Sequence, residues 1–188
     1  MIYRLRFDRF NFMTFDIWPE EVEAKLGDMF ILDAPRWKEF WQPLNAQFTD
    51  MSDSGGVFKV PDITCWFTND LALNQAAYDS LSKVLAPYGE LLPCKCEGIP
   101  YWVLHVTHKT GMDAVDLSKS ERIVEAGGYI DMQSLVFNEK KLDGLLIFKT
   151  EFSNYRNIYC TEEFKSLVEN SGLKGLLFST DLAGINEP

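Results

Sequence analysis

"PCKCEGIPYWVLHVTHKT" (residues 93–110) is the stretch whose reading decides the fold. It carries Cys94 and Cys96, one residue apart, and the only two histidines of the chain, His105 and His108. Four ligand-capable side chains so close together raise the question of a metal site. Structural zinc sites usually space paired cysteines by about two to four residues, because a tight turn must bring both thiolates to one tetrahedron. Cys94 and Cys96 are closer than that, although an extended backbone does put both thiols on one side. If Tyr101 to His108 is extended, Tyr101, Val103, His105 and Thr107 share one face, and Trp102, Leu104, Val106 and His108 share the other. The histidines are then split between faces. The stretch reads as a strand, roughly 100–107, and not as a metal centre.

Outward from this strand, the pattern groups helices and strands without regular alternation. Before it, "NQAAYDSLSKVLAPYGELLP" reads as a helix capped by Asn74, with Ala77, Leu81, Val84 and Leu85 as its buried stripe. Pro87 and Gly89 stop it. "PDITCWFTND" suggests a short strand, and after the central strand come three more: 128–137, 144–150 and 157–160. The last runs into a helix that Thr161 can cap, with Glu162 and Glu163 at its positive end and Phe164, Leu167 and Val168 facing inward. Gly172 closes that helix, and "LKGLLF" returns as a strand.

The first sixty residues differ. "IYRLRF" suits a strand, and "PEEVEAKLGDMF" a helix opened by Pro19. In "DAPRWKEFWQPLNAQF", Trp37, Phe40, Trp41 and Leu44 recur at helical intervals and predict one apolar helical face. A polar, glycine-rich loop at 49–59 marks a soft boundary between an N-terminal lobe, 1–60, and a core, 61–188. The expected class is α+β: a mixed, mostly antiparallel sheet with a few packed helices and a smaller N-terminal lobe.

The composition narrows function. The 188 residues are 46% hydrophobic, enough for a substantial core. With 28 acidic against 18 basic groups, the net charge is −10. Such a surface repels phosphate backbones, which disfavours nucleic acid, and steers basic protein partners toward it. "MIYRLRFDRFNF" alternates apolar and charged residues, unlike the apolar core of a signal peptide, and no apolar run approaches a bilayer span. Four cysteines are too few for a disulfide scaffold, so the expectation is a cytoplasmic protein with reduced thiols.

Other constellations are weighed the same way. Cys160, just before the Thr161 cap, is a candidate nucleophile, since a helix N-terminus can lower a thiol's pKa; it equally ends a buried strand. Asp113 and Asp116, with Ser118 and Ser120, form a possible acid pair or a set of turn residues bonding backbone amides. The glycines fit neither a phosphate loop nor a dinucleotide fingerprint. Trp18, Trp37, Phe40 and Trp41 serve either as interface anchors or as core.

Across residues 71–178 the chain resembles the eleventh numbered family of immunity proteins from bacterial polymorphic toxin systems, formerly a domain of unknown function. The resemblance lies in "AAYDSLSKVLAPYGELLP", in "YWVLHVTHKTGMDAVDLSKSE", in "LLIFK" and in "IYCTEEFKSLVENSGLKGLLF", in that order. It departs at His105, where Asn is usual, and at the Cys94–Cys96 pair, so the ligand-capable residues are the least family-like. The resemblance implies a non-catalytic protein that binds and neutralises a cognate toxin, basic in charge, without a cofactor. No catalytic residue transfers with it. Toxin contacts are then expected at Trp37, Trp41, Asp50, Asp53, Asp113 and Asp116. The rival expectation from another class is a small metal- or thiol-dependent enzyme using Cys94, Cys96, His105, His108 or Cys160; a structural interaction module is the third.

Overall fold

The structure, a computed structural model, describes residues 1–27, 36–51, 58–126 and 128–184. Among them are three α-helices and thirteen strands, an α+β fold. Eleven strands belong to the first architectural feature, two sheets that share a layer of apolar side chains. The six-stranded sheet takes β2 (Thr14–Asp16), β3 (Leu44–Thr49), β6 (Gly89–Cys96), β7 (Ile99–Val106), β5 (Asp70–Leu73) and β4 (Ile63–Trp66), in that order. The five-stranded sheet runs β13 (Leu176–Ser179), β1 (Ile2–Phe7), β12 (Ile158–Thr161), β11 (Ile147–Thr150) and, at its far edge, the two-residue β8 (Lys109–Thr110). A separate hairpin joins β9 (Glu121–Glu125) to β10 (Gly128–Ser134). Pairing is antiparallel throughout, except for β3 with β6 and β11 with β8.

Strands that look uniformly apolar do so because both their faces are buried. In β12, Ile158 and Cys160 point into the core between the sheets, and Tyr159 into a second core outside the five-stranded sheet. β11 divides Ile147 and Phe148 in the same way. In β5, Leu71 and Leu73 enter the shared core while Ala72 faces a third core outside the six-stranded sheet. β7 follows the predicted alternation: Tyr101 and Val103 face the outer core, Leu104 and Val106 the shared one. Helices α2 (Gln75–Leu85) and α3 (Glu162–Asn170) complete the shared core with Ala77, Leu81, Leu85, Phe164 and Val168. Helix α1 (Pro19–Leu26) closes the outer one with Leu26.

Local chemistry sets the ends of these elements. Asn74 Oδ1 accepts from Ala77 N at 2.9 Å, the expected cap of α2. Val84, expected in its buried stripe, is instead 37% exposed. Thr161 sits at the N-cap of α3 but makes no side-chain cap; its hydroxyl donates to Leu145 O at 2.8 Å. Glu97 and Gly98, both at positive φ, make the two-residue turn that reverses β6 into β7. Gly89 is required by proximity: a Cβ there would lie 2.2 Å from the carbonyl oxygen of His105.

The N-terminal region differs most from expectation. Residues 37–44 form no helix. A turn at 38–40 is followed by irregular chain and then by β3, because Pro43 removes a helical N–H and bars helical geometry at Gln42. Trp37, Phe40, Trp41 and Leu44 nonetheless share the outer core, so the apolar spacing was read correctly and its period was not. Strands from 1–60 are also built into both large sheets: β1 lies between β12 and β13, and β3 pairs with β6.

Candidate functional site

His105, paired in β7 with Asp70 on one side and Glu90 on the other, directs its side chain into a buried polar centre. Its Nδ1 lies 3.0 Å from Asp70 Oδ1, and since a carboxylate oxygen only accepts, Nδ1 donates. The same oxygen accepts from Val106 N at 2.9 Å and stands 3.4 Å from Lys149 Nζ. Asp70 and Lys149 are wholly buried and His105 is 1% exposed. Trp37, itself fully buried, stacks on the imidazole at 3.6 Å between ring centres, tilted by 13°. The Trp37 amide donates to Glu90 Oε2 at 2.6 Å, and Glu90 pairs with His105 across β6 and β7.

This centre sits where the chain crosses from one sheet to the other. After β7 the amides of Thr107 and His108 both donate to Tyr88 O, and Lys149 N donates to His108 O as β8 begins. Lys149 comes from the five-stranded sheet, and Asp70 and His105 from the six-stranded one. The ion pair therefore ties the two sheets together at the crossing. Asp70, His105, Lys149 and Trp37 are all enclosed, and Glu90 is half-buried.

The metal and thiol candidates are dispersed. Cys94 and Cys96 do share the outer core with Tyr101. His105 pairs with Glu90, however, four residues along β6 from Cys94, a distance of about 13 Å at the usual strand rise. His108 lies on the other side, half-buried against the Tyr88 ring, and desolvation lowers its pKa. Among the described residues, no three His, Cys, Asp or Glu side chains come together as a metal cluster. Cys65, Cys94, Cys96 and Cys160 are all free and buried. Burial pushes the thiols of Cys65, Cys94 and Cys96 up to about 12 and that of Cys160 well above its ordinary value, so all four are protonated and weakly nucleophilic near neutral pH.

The remaining sequence candidates divide by exposure. Trp37 is core and presents no surface, whereas Trp41 is half-buried, stacks beside Trp37 and donates its indole N–H to Pro93 O at 2.8 Å. Asp50 is exposed, and Asp53 lies outside the described residues. Asp113 is exposed and 3.6 Å from Lys141 Nζ. Asp116 is held below the usual carboxylate range by hydrogen bonds from Lys119, at 2.8 Å, and from Ser118. That is the turn chemistry expected of it. Asp113 and Asp116 line one cleft together with Leu117 and Lys140.

Sequence reasoning missed two features. The first is the Asp70–Lys149 pair; a lysine inside the apolar strand "LLIFKT" was the available signal. The second is a surface with adjoining clefts, each of about 600 Å³, on the N-terminal side. One is lined by Phe7, Arg9, Phe10, Met51 and Phe58, the other by Trp18, Val22, Glu23 and Phe67, and Asp16 belongs to both. Phe10, Trp18, Met51 and Phe67 are each at least half exposed. Apolar side chains so grouped in concave surface suit a binding face.

No protein family's sequence model matches this chain, and no curated protein is significantly similar to it. No helix among the described residues is long and apolar enough to cross a membrane.

Proposed function

We propose that this chain is a non-catalytic immunity protein that binds and neutralises a cognate bacterial toxin in the cytoplasm of the producing cell. The observation that carries this reading is the way chemistry is distributed between core and surface. The four thiols and the His105 imidazole are enclosed, while the surface offers apolar clefts and an excess of carboxylates. That pattern suits association with a basic protein more than turnover of a small substrate. The ordered resemblance over 71–178 supports the same class, and the net charge of −10 supports a basic partner steered by long-range attraction. Of the contacts expected from sequence, Trp41, Asp50, Asp113 and Asp116 are at least partly exposed, and the clefts beside Trp18 and Phe10 join them.

Co-expression tests the reading. A neighbouring gene product that arrests growth when expressed alone is expected to become harmless when this chain is supplied in the same cell, and the two proteins to co-purify. Absence of protection overturns the assignment for that pair. Association is also expected to slow as ionic strength rises, and a salt-independent on-rate would remove the electrostatic part of the argument.

A further inference from the structure

The cleft beside α1 combines aromatic surface with uncompensated negative charge. Trp18, 55% exposed, stands immediately before the helix, and Phe67, 50% exposed, faces the same cleft from the turn between β4 and β5. Asp16 and Glu23 line it with them. Among the described residues neither carboxylate has an ion-pair partner, nor does Glu20 in the first turn of α1. Glu21, by contrast, is taken up by Lys25 at 2.7 Å. A helix N-terminus opposes a nearby cation, but here the first turn carries Glu20 and Glu21, which offset it.

Aromatic rings attract a cation through the negative charge of their π faces, and flanking carboxylates add attraction at longer range. The adjoining cleft shares Asp16 but also contains Arg9, so its charged lining is balanced. Phe67 also holds φ at +52°, a backbone that glycine adopts far more readily than an aromatic residue.

We infer that the Trp18–Phe67 cleft, with Asp16 and Glu23, receives a lysine or arginine side chain displayed by the partner protein. This rests on the toxin-binding reading and names the surface and the chemistry by which a basic toxin is gripped. The cleft takes the cation's stem against Trp18 and Val22 and its charge against the rings and the two carboxylates.

The test titrates the isotope-labelled chain with N-acetylated, C-amidated Gly-Lys-Gly and Gly-Arg-Gly, with Gly-Glu-Gly as control, and follows the backbone amides of Asp16, Val22, Glu23 and Phe67 by NMR, with the Trp18 indole N–H beside them wherever Trp18 is retained. Saturable shifts are expected with the cationic peptides only. Trp18→Ala and the double change Asp16→Asn/Glu23→Gln are each expected to weaken binding by about tenfold. Phe67→Gly guards against a folding artefact, because it relieves the backbone while removing one ring; it is expected to remain folded and to bind more weakly. The inference is overturned if the acidic peptide binds equally, if neither cationic peptide binds, or if the variants keep wild-type affinity. Because the readout needs no toxin, its failure is separable: a chain that protects cells but ignores the peptides loses only this cleft. One that binds them without protecting loses only the toxin reading.

Discussion

Replacing Lys149 with methionine removes a buried charge while keeping most of the apolar stem. Its Nζ stands 3.4 Å from Asp70 Oδ1, and both residues are wholly enclosed. Two unit charges at that separation attract by about 5 kcal/mol at an effective dielectric of roughly 20. Part of that offsets the desolvation of both ions, so the useful quantity is the cost of stranding the partner, about 3–5 kcal/mol for a buried pair. Asp70 Oδ1 keeps the Val106 amide and the His105 imidazole, which places Lys149→Met toward the lower end, about 3 kcal/mol. In urea, with a slope of roughly 2–3 kcal/mol/M, the midpoint then falls by about 1 M or more. Asp70→Asn alone removes the carboxylate that Lys149 Nζ faces at 3.4 Å and costs a similar amount. In Asp70→Asn/Lys149→Met no charge is stranded, and the amide oxygen can still accept from Val106 N. The double variant is therefore expected to recover about 2 kcal/mol relative to the sum of the single changes. Strict additivity, with coupling below about 0.5 kcal/mol, would refute the claim that this pair joins the sheets.

Trp37→Ala should cost about 3–5 kcal/mol in the same denaturation assay, because it empties a fully buried site against His105, whereas half-buried Trp41→Ala should cost clearly less. The four thiols should react slowly with a disulfide reagent at pH 8 in native protein and rapidly in urea; at a pKa of about 12 the thiolate fraction there is on the order of one in ten thousand. Folding raises these pKa values above the unfolded value near 9, so the unfolded chain binds fewer protons in that window. Stability should accordingly fall as pH rises from about 9 toward 12, and equilibrium denaturation across that range measures it. Asn74→Ala should cost about 1 kcal/mol through loss of the α2 cap, read from the thermal midpoint. Gly89→Ala should abolish or severely reduce soluble folded protein, because the added methyl collides with backbone that a side-chain rotation cannot move.

Much of the architecture could be read from the chain where local and tertiary signals agree. The Pro19 start and first-turn acids of α1, the Asn74 cap of α2, the alternation of β7 and the closing glycine of α3 are local chemistry, and the fold uses them as written. The 37–44 segment was misread because three aromatics at helical spacing can fill a core without a helix, and Pro43 is the residue that decides. β6 was hidden because "GELLPCKC" places a proline within it and follows a helix without a polar break. The pairing of β1 with β12 and β13 has no local signature, since it joins the two ends of the sequence. At the candidate sites, strand alternation put His105 on the face of Tyr101 and Val103, where it stacks on Trp37, while β7 ends at Val106 and His108 lies beyond the alternation. Alternation says nothing of what lies across a sheet, so Asp70 and Lys149 were invisible as partners. The Trp18–Phe67 cleft likewise depends on a turn brought beside α1 by the fold.

The position of β1 also bears on how the protein is made. Residues 2–7 bond on one side to 159–161 and on the other to 176–179, contacts about 160 residues or more apart in sequence. A nascent chain carries β1 without either neighbour until roughly 150 further residues have been made, and loop closure over that span is slow. The five-stranded sheet can assemble only once the residues of β13 have left the ribosome. Until then "IYRLRF" is an exposed apolar strand edge, shielded by Arg4 and Arg6, the kind of charged residues that keep such a segment from pairing with another chain.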